Sequence, residues 1–230
     1  MIRLEKVTKR FNQGTPDETE VFSCFDFSVN SGEFVSVIGS NGSGKTTLLN
    51  LICGSLFPDS GKIYLNGADI TPLPEYKRAK KISRVFQDPK AGTCPHMTIL
   101  ENMALADHKN KRFGLGICVN KKRTAFYREL LSVCGMGLEN RMETPVGSLS
   151  GGQRQALALV IANMCESELL ILDEHTAALD PKSSETIMGL TDRIVREKKI
   201  TTLMVTHNLN HALRYGHRLV MFHEGQNVFD

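Results

Sequence analysis

The chain has 230 residues, of which 41% are hydrophobic and 23% charged, a composition typical of one globular body rather than a disordered or fibrous protein. The formal net charge of +3 is too small to indicate nucleic acid as a partner. No apolar run reaches the roughly 20 residues that span a bilayer, and the N-terminus lacks the apolar core of a signal peptide. Six cysteines without a C-x-x-C pair predict neither a disulfide framework nor a zinc site. We therefore expect a cytoplasmic protein.

Strand patterns dominate the first part of the chain. Apolar and polar residues alternate in "IRLEKV" and "FDFSVN", which predicts antiparallel strands in an N-terminal β layer. "FVSVI" (34–38) predicts a strand that stops at Gly39, and 45–53 predicts a helix ended by Gly54. "KIYLNG" predicts a strand running into an Asn-Gly turn, and "KISRVF" (81–86) predicts another strand.

From residue 88 to residue 165 the pattern becomes helical. Helical periodicity occurs in "TILENMALA" and "RTAFYRELLSVC", which predicts an inserted helical subdomain. The basic stretch "DHKNKRFGLGICVNKKR" lies between them and has no aromatic interleaving beyond Phe113. It therefore indicates a solvated loop rather than a nucleic-acid-binding patch.

Strands and helices alternate in the last part of the chain. After Gln153 an apolar helix is predicted to run to Met164, and "LLILDE" has the continuous apolar character of a strand buried on both faces. A helix beginning at Pro181, the strand "TTLMVTH", the helix "NLNHALRYG" and a last strand and turn "RLVMFHEG" follow. The chain is therefore predicted to be α/β, with a parallel sheet core from 1–87 and 166–230 interrupted by the helical segment 88–165.

The stretch "GSNGSGKTT" fits the phosphate-binding pattern G-x-x-x-x-G-K-[ST] and lies between a predicted strand and a predicted helix. Glycines let backbone N–H groups turn toward phosphate oxygens, and a helix N-terminus favours an anion. Lys45 would reach the β- and γ-phosphates of a nucleotide, and the Thr46 hydroxyl would ligate Mg²⁺. The alternative is a tight Gly-Ser turn before a helix, in which a buried lysine would be costly. The predicted nucleotide-binding residues here are Gly39, Ser40, Asn41, Gly42, Ser43, Gly44, Lys45, Thr46 and Thr47.

Two carboxylates end the apolar strand "LLILDE". Asp173 would emerge at the carboxyl edge of the sheet, where α/β folds bind ligands, and suits a Mg²⁺ shell. Glu174 would project toward the γ-phosphate and act as the general base for the attacking water. The alternative for each is a carboxylate that caps the next element.

A second glycine-rich stretch, "LSGGQ", opens the apolar helix near Gln153. Ser150, Gly151 and Gly152 would bring a hydroxyl, backbone amides and a helix N-terminus to one anion site. The stretch carries no lysine and no base, so it is half of a site. We expect two copies to face head to tail, each completing the nucleotide site of the other. The alternative is a simple helix cap.

The motifs together resemble those of the ATP-binding cassette (ABC) ATPases, the motor subunits of ABC transporters. Five occur in the family's order: "GSNGSGKTT", Gln87 after "RVF", "LSGGQRQ", "LLILDE" with "ALD" at 178–180, and His207 in "MVTHN". The resemblance covers essentially the whole chain. It implies a P-loop NTPase (RecA-like) parallel sheet core, an N-terminal antiparallel β layer and an inserted helical subdomain, with ATP and Mg²⁺ as ligands.

The resemblance also implies further site residues. Gln87 would ligate Mg²⁺ and the water, unless it is a surface amide. His207 would hydrogen-bond the γ-phosphate, unless it is structural, and Lys45, Gln87, Glu174 and His207 would form the catalytic set. Asp180 would contact the partner subunit and could also cap the helix at Pro181. Phe11 is similar to the aromatic that stacks on adenine, with a core role as the alternative.

One position departs from the family pattern: His175 follows Glu174, where proline is common. It would add a titratable group near the subunit interface or have no role. "EHTAALDP" and "VTHNLNHALRYG" are similar to bacterial importer ATPases, some linked to aromatic amino acids.

The expected function is therefore an ATPase that drives small-solute import. The implied partners are a second ATPase subunit, in a homodimer or pseudo-symmetric heterodimer, and an integral membrane permease. The chain would lie on the cytoplasmic face of the cell membrane and bind no nucleic acid. A soluble ABC ATPase acting on DNA or ribosomes is disfavoured, because the chain carries one cassette and no long coiled coil. A module that binds ATP without turnover is disfavoured by the intact Lys45, Asp173, Glu174 and His207.

Overall fold

The structure, a computed structural model, describes residues 1–109 and 119–230. The centre of the predicted basic loop, including Lys111, Arg112 and Phe113, lies outside the described residues. The strands are β1 (Ile2–Phe11), β2 (Thr19–Val29), β3 (Phe34–Gly39), β4 (Ser60–Leu65), β5 (Ala68–Asp69), β6 (Ile82–Val85), β7 (Leu169–Asp173), β8 (Thr201–Val205), β9 (Arg218–His223) and β10 (Gln226–Phe229). The α-helices are α1 (Lys45–Cys53), α2 (Glu75–Arg78), α3 (Ile99–Asp107), α4 (Thr124–Ser132), α5 (Gly151–Met164), α6 (Pro181–Lys198) and α7 (Leu209–Tyr215).

The chain divides into two compact units. The first consists of Met1–Ile82, Glu168–Asp173 and Lys199–Asp230, and the second of Ser83–Ser167 and Glu174–Lys198. The second unit begins five residues before the predicted helical segment and takes in α6 as well. The division into two units does not test whether residues 88–165 are an inserted subdomain, so these bounds stay a prediction.

Two sheets build the first unit. The antiparallel sheet has the order β2-β1-β4-β5, and Ile2 stands in register with Val29 on one side and Leu65 on the other. The Asn66-Gly67 turn joins β4 to β5 with φ of 50° and 78° at its two residues, as a two-residue hairpin requires. The predicted N-terminal antiparallel layer is thereby confirmed.

The second sheet of this unit contains β10, β9, β3, β8 and β7 in that order. β9, β3, β8 and β7 are parallel, whereas β10 pairs antiparallel with β9. All five residues of β8 and the first four of β7 and β3 are buried, as expected for strands covered on both faces. The predicted parallel core is confirmed.

Three details differ from the sequence-based expectations. Helix α5 begins at Gly151 rather than near Gln153, because Ser150 serves as its N-cap. Strand β10 was not predicted; the two-residue turn Glu224-Gly225, with φ of 47° and 72°, folds it back onto β9. The single-turn helix α2 was not predicted either.

The second unit is helical in the part that the structure describes, apart from the strand residues that continue β6. Helix α5 packs against α3, α4 and α6. Its residues Ala156, Leu157, Ala158, Leu159 and Val160 are all buried, so the helix forms the centre of this unit. Over residues 1–109 and 119–230, no helix is both long and apolar enough to cross a membrane.

Candidate functional site

The glycine loop between β3 and α1 has a backbone that only glycine can adopt at two positions. Gly39 has φ of 156°, and a Cβ atom there would lie 2.4 Å from the Phe222 carbonyl oxygen. Gly44, the N-cap of α1, has φ of 100° and packs against the Phe22 ring. The chain therefore turns tightly from strand to helix and leaves the first amides of α1 at the turn.

Lys45 begins α1 and is 6% exposed. Its Nζ donates hydrogen bonds to the carbonyl oxygens of Gly39 (2.8 Å) and Ser40 (2.7 Å), so the ammonium lies across the loop that precedes it. Ser43 Oγ is buried and has no hydrogen-bond partner among the described residues. A cation, a helix N-terminus and an unsatisfied hydroxyl in one loop fit an anionic ligand that presents oxygen atoms. Thr46 is exposed and Thr47 half-buried.

Asp173 and His207 lie at the carboxyl ends of β7 and β8, which run parallel to β3, the strand before the glycine loop. Asp173 is the last residue of β7 and stands in register with Val205, which is also in register with Val37 of β3. Thr206 N donates to the Val37 carbonyl at 3.2 Å, and the exposed His207 comes next. The first unit thus brings the glycine loop, Asp173 and His207 to one carboxyl edge of the sheet, where α/β folds bind ligands.

Phe11 ends β1 and is half-buried, so it is not part of the hydrophobic core. The Lys9 ammonium lies 5.6 Å from the centroid of its ring. The exposed part of the ring is suited to stacking on a planar ligand.

In the second unit, Gln87 is exposed and directly follows Phe86. The Phe86 carbonyl accepts a hydrogen bond from Gln155 Nε2 of α5 at 3.2 Å, and Gln155 is almost fully buried. The segment that presents Gln87 is therefore tied to the helix that begins at Gly151. The sequence-based reasoning missed Gln155; the only available signal was a polar residue at an otherwise apolar helix position.

The start of α5 is a capping box. Ser150 Oγ accepts a hydrogen bond from Gln153 N at 3.2 Å, and Gln153 Oε1 accepts one from Ser150 N at 3.2 Å. The alternative that "SGGQ" forms a helix cap is therefore confirmed. The prediction that the helix begins near Gln153, after both glycines, is wrong. Gly152 leaves little room for a side chain, because a Cβ atom at this position would lie 3.2 Å from Ser183 of α6. Gly151 and Gly152 instead supply the first helical amides beside an exposed Ser150.

Asp180 directly precedes α6, whose start lies near the start of α5. Its Oδ1 accepts a hydrogen bond from Ser183 N at 3.0 Å, which confirms the helix-capping alternative. Hydrogen bonds from the Ser183 side chain and backbone hold the pKa of this carboxyl below its usual value. The second unit therefore places Asp180 and the Ser150 cap at neighbouring helix starts, with Leu179 in contact range of Gly151.

Glu174 has a left-handed backbone, with φ of 46°, and its carbonyl accepts a hydrogen bond from Ala177 N at 2.9 Å. This conformation is costly for a residue with a side chain. His175 is buried, and its Nε2 lies 3.3 Å from Thr191 Oγ1 on α6. The sequence-based alternatives for His175 did not include a buried hydrogen bond to α6.

The cation, backbone amides, hydroxyls and carboxylates described above fit a nucleoside triphosphate with a magnesium ion. No group of three or more His, Cys, Asp or Glu side chains in the described ranges is arranged to hold a metal ion. Mg²⁺ does not need such a group, because it is usually bound through one or two carboxylates, phosphate oxygens and water. The Asp173 carboxylate and the Thr46 hydroxyl carry oxygen atoms of the kind that such a magnesium site uses.

Comparison with known proteins agrees with these features. The family described as ABC transporter matches residues 22–177. The tyrosine transport ATP-binding protein of Clostridioides difficile is 49% identical over 230 residues, which cover 100% of this chain and 91% of that protein. The thiamine import ATP-binding protein ThiQ of Haemophilus influenzae is 37% identical over 205 residues, 88% of this chain and 89% of that protein. A solved dimeric ATP-binding cassette in a post-hydrolysis state, bound to ADP and Pi, matches with a TM-score of 0.84 and 30% identity, covering 100% of this chain and 97% of that one.

Proposed function

The chain belongs to the ABC transporter family as an ATP-binding subunit with ATPase activity, and from this premise we propose that it drives the import of a small solute. The relative at 49% identity is named for tyrosine transport, which supports an amino acid as the solute. The observation that supports ATP binding and hydrolysis in this proposal is the glycine loop, in which Lys45 and the unsatisfied Ser43 hydroxyl lie at the start of α1.

Residues 39–47 hold the triphosphate in this proposal. The amides at the start of α1 and the Lys45 ammonium bind phosphate oxygens, and Lys45 exchanges its loop carbonyls for the β- and γ-phosphates. Thr46, Asp173 and Gln87 would hold Mg²⁺, which would neutralise charge on the phosphate oxygens. Phe11 stacks on the adenine.

Hydrolysis needs a general base and a hydrogen-bond donor that stabilises the charge on the γ-phosphate. Glu174 accepts the proton of the attacking water, and His207 donates a hydrogen bond to a γ-phosphate oxygen. Gln87 orients the water. Removing any of these groups is expected to slow the chemical step more than it weakens ATP binding.

The Ser150 cap serves the nucleotide of a second subunit. Ser150, Gly151, Gly152 and Gln153 present a hydroxyl and helix amides, which suit a γ-phosphate held by residues 39–47 of the partner. Two copies, or this chain and a related one, would form a head-to-tail pair, with Asp180 contacting the partner. The dimeric state of the solved cassette supports this arrangement.

ATP binding drives closure of that pair, and hydrolysis releases it, because only the closed state gives the triphosphate both sets of contacts. The movement acts on a separate integral membrane permease. The chain would work on the cytoplasmic face of the membrane, without nucleic acid as a ligand.

Replacement of Lys45 tests the proposed binding of the triphosphate by the glycine loop. In Lys45→Ala we expect kcat for ATP to fall by about 100-fold or more, because the phosphates lose their cation. Lys45→Met keeps the aliphatic stem and should lose as much activity. Phosphate release and binding of a fluorescent ATP analogue measure the effect, with thermal melting to check folding.

Lys62→Ala is the matched control, because Lys62 is exposed on the antiparallel sheet, where it forms a 3.7 Å ion pair with Asp69. It should keep normal turnover. A folded Lys45→Met variant with normal ATPase activity would refute the assignment of the glycine loop as the phosphate site.

A further inference from the structure

The backbone at Glu174 must be held by its surroundings. A left-handed conformation at a residue with a side chain persists only where neighbouring structure imposes it. The turn after Glu174 supplies two backbone hydrogen bonds, from Ala177 N to the Glu174 carbonyl (2.9 Å) and from Leu179 N to the Thr176 carbonyl (3.2 Å). These bonds fix the shape of the turn, but they do not fix its place against the rest of the second unit.

Among the described contacts, two hydrogen bonds attach this turn to α6. At its far end, Asp180 accepts a hydrogen bond from Ser183 N and so joins the turn to the start of the helix. At its near end, the His175 side chain is 2% exposed and lies against Thr191, which is 0% exposed. The near anchor is the residue directly after Glu174, so any movement of His175 is transmitted to the Glu174 backbone.

The hydrogen bond between His175 and Thr191 has a defined direction. Thr191 Oγ1 donates its single hydrogen to the Ile187 carbonyl at 2.8 Å. Because that hydrogen is used, Thr191 Oγ1 can only accept from His175 Nε2 at 3.3 Å. In this arrangement the imidazole carries a hydrogen on Nε2, and the contact is specific for a donor at that position.

We propose that His175 is a positioning residue for hydrolysis: its Nε2–H bond to Thr191 on α6 holds Glu174 in the conformation that its carboxylate needs to act on the water. The inference rests on the proposed role of Glu174. His175 itself is buried, so we expect it to act through the neighbouring Glu174. The same bond explains how His175 can replace the proline that is common at this position. The hydrogen bond from its side chain restricts the backbone, as the proline ring would.

Paired substitutions separate this role from simple packing. His175→Phe keeps an aromatic ring and removes the donor, and Thr191→Val keeps the shape of the side chain and removes the acceptor. His175→Gln and Thr191→Ser are the matched controls, because each retains the donor or the acceptor with similar reach. A residue that only fills space would tolerate Phe and Val at least as well as Gln and Ser.

We expect kcat to fall in the variants that lose the hydrogen bond between residues 175 and 191 and to be kept in the variants that retain it. His175→Phe and Thr191→Val should each lower kcat by about tenfold and change KM by less than about twofold. The double variant should be no slower than either single variant, because both remove the same bond. His175→Gln and Thr191→Ser should keep most of the turnover.

A measurement without nucleotide tests the geometry directly. Nitrogen NMR of the free protein should show His175 as the tautomer with hydrogen on Nε2. Hydrogen exchange at the Ala177 amide, which is bonded to the Glu174 carbonyl, should accelerate in His175→Phe and Thr191→Val but not in the control variants. An Nδ1–H tautomer, or unchanged protection of Ala177, would overturn the inference.

The Glu174→Gln background separates failure of the inference from failure of the proposed function. If His175 acts through Glu174, adding His175→Phe to Glu174→Gln should not reduce the residual turnover further. Full turnover in Glu174→Gln alone would remove the base assignment, and the positioning role with it. Lost turnover in Glu174→Gln together with normal kcat in His175→Phe and Thr191→Val would leave the base in place and overturn the inference alone.

Discussion

A single buried arginine closes the helix that begins at the glycine loop. Arg78 is 2% exposed and donates hydrogen bonds to the carbonyl oxygens of Leu51 (2.6 Å), Ile52 (3.1 Å), Thr71 (2.9 Å) and Leu73 (2.7 Å). Leu51 and Ile52 lie in the last turn of α1, where helix carbonyls have no partner within the helix. The arginine therefore acts as a side-chain cap for α1, and burial lowers the pKa of its guanidinium.

Replacing this arginine should destabilise the protein strongly. Arg78→Lys keeps the charge but cannot reach four carbonyls from one planar group, so we expect a loss of about 2–4 kcal/mol in the free energy of unfolding. Urea denaturation measures the change. Arg196→Lys is the control, because Arg196 is exposed and forms an ion pair with Asp192 one turn earlier in α6; it should change stability by less than about 0.5 kcal/mol. Equal stability of the two variants would contradict the capping role.

At the scale of elements, the start of α5 serves two purposes that can be separated. Ser150 satisfies the Gln153 amide, which is a structural task, and it is also the proposed contact to the partner's nucleotide. An aspartate can cap a helix as well as a serine, but its negative charge would repel a phosphate. The two tasks therefore respond differently to the same substitution.

Ser150→Ala should lower stability by about 1 kcal/mol, whereas Ser150→Asp should preserve it. Both variants should lose ATP-driven association, and Ser150→Asp should lose it completely because carboxylate and phosphate repel each other. Thermal melting and size-exclusion chromatography with ATP measure the two effects.

Thr98→Ala is the matched control for the cap, since Thr98 closes a capping box with Glu101 at the start of α3. It should cost similar stability without reducing turnover per folded molecule. Normal association of Ser150→Asp would limit Ser150 to its structural task.

At the scale of the whole molecule, the candidate residues are divided between the two compact units. Lys45, Asp173 and His207 belong to the first unit, and Gln87, Glu174 and the Ser150 cap belong to the second. In the proposed function, the cap meets a nucleotide held by another subunit. The protein should therefore be an ATPase whose activity depends on its own concentration.

Blocking hydrolysis should reveal the pair. Glu174→Gln should bind ATP with only a small residual turnover and elute as a dimer, because closure is rarely reversed by cleavage of the γ-phosphate. Size-exclusion chromatography with light scattering, with and without Mg·ATP, measures the change. Glu197→Gln, at an exposed position of α6, should behave as the unchanged protein, and Lys45→Ala combined with Glu174→Gln should stay monomeric. A monomeric Glu174→Gln protein at saturating ATP would contradict the head-to-tail arrangement.

Much of the first unit could be predicted because its signals are local. The helix at 45–53 and its end at Gly54 were predicted to the residue, since the glycines and the apolar spacing that set its limits lie within the segment itself. The Asn66-Gly67 turn was predictable for the same reason. The β9–β10 hairpin was missed, because every residue of β10 is exposed and the segment has no hydrophobic pattern.

The sequence by itself determined the order of strands and helices, the glycine loop, the residue types of the candidate site and the resemblance to ABC ATPases. Each of these depends on residues within a few positions of one another or on motif order. Only the tertiary structure decided that Arg78 caps α1, that Gln155 is bonded to the Phe86 carbonyl and that His175 is anchored to Thr191. Such contacts join residues far apart in the chain, and burial of a polar side chain is stable only where folding places a partner within hydrogen-bonding distance.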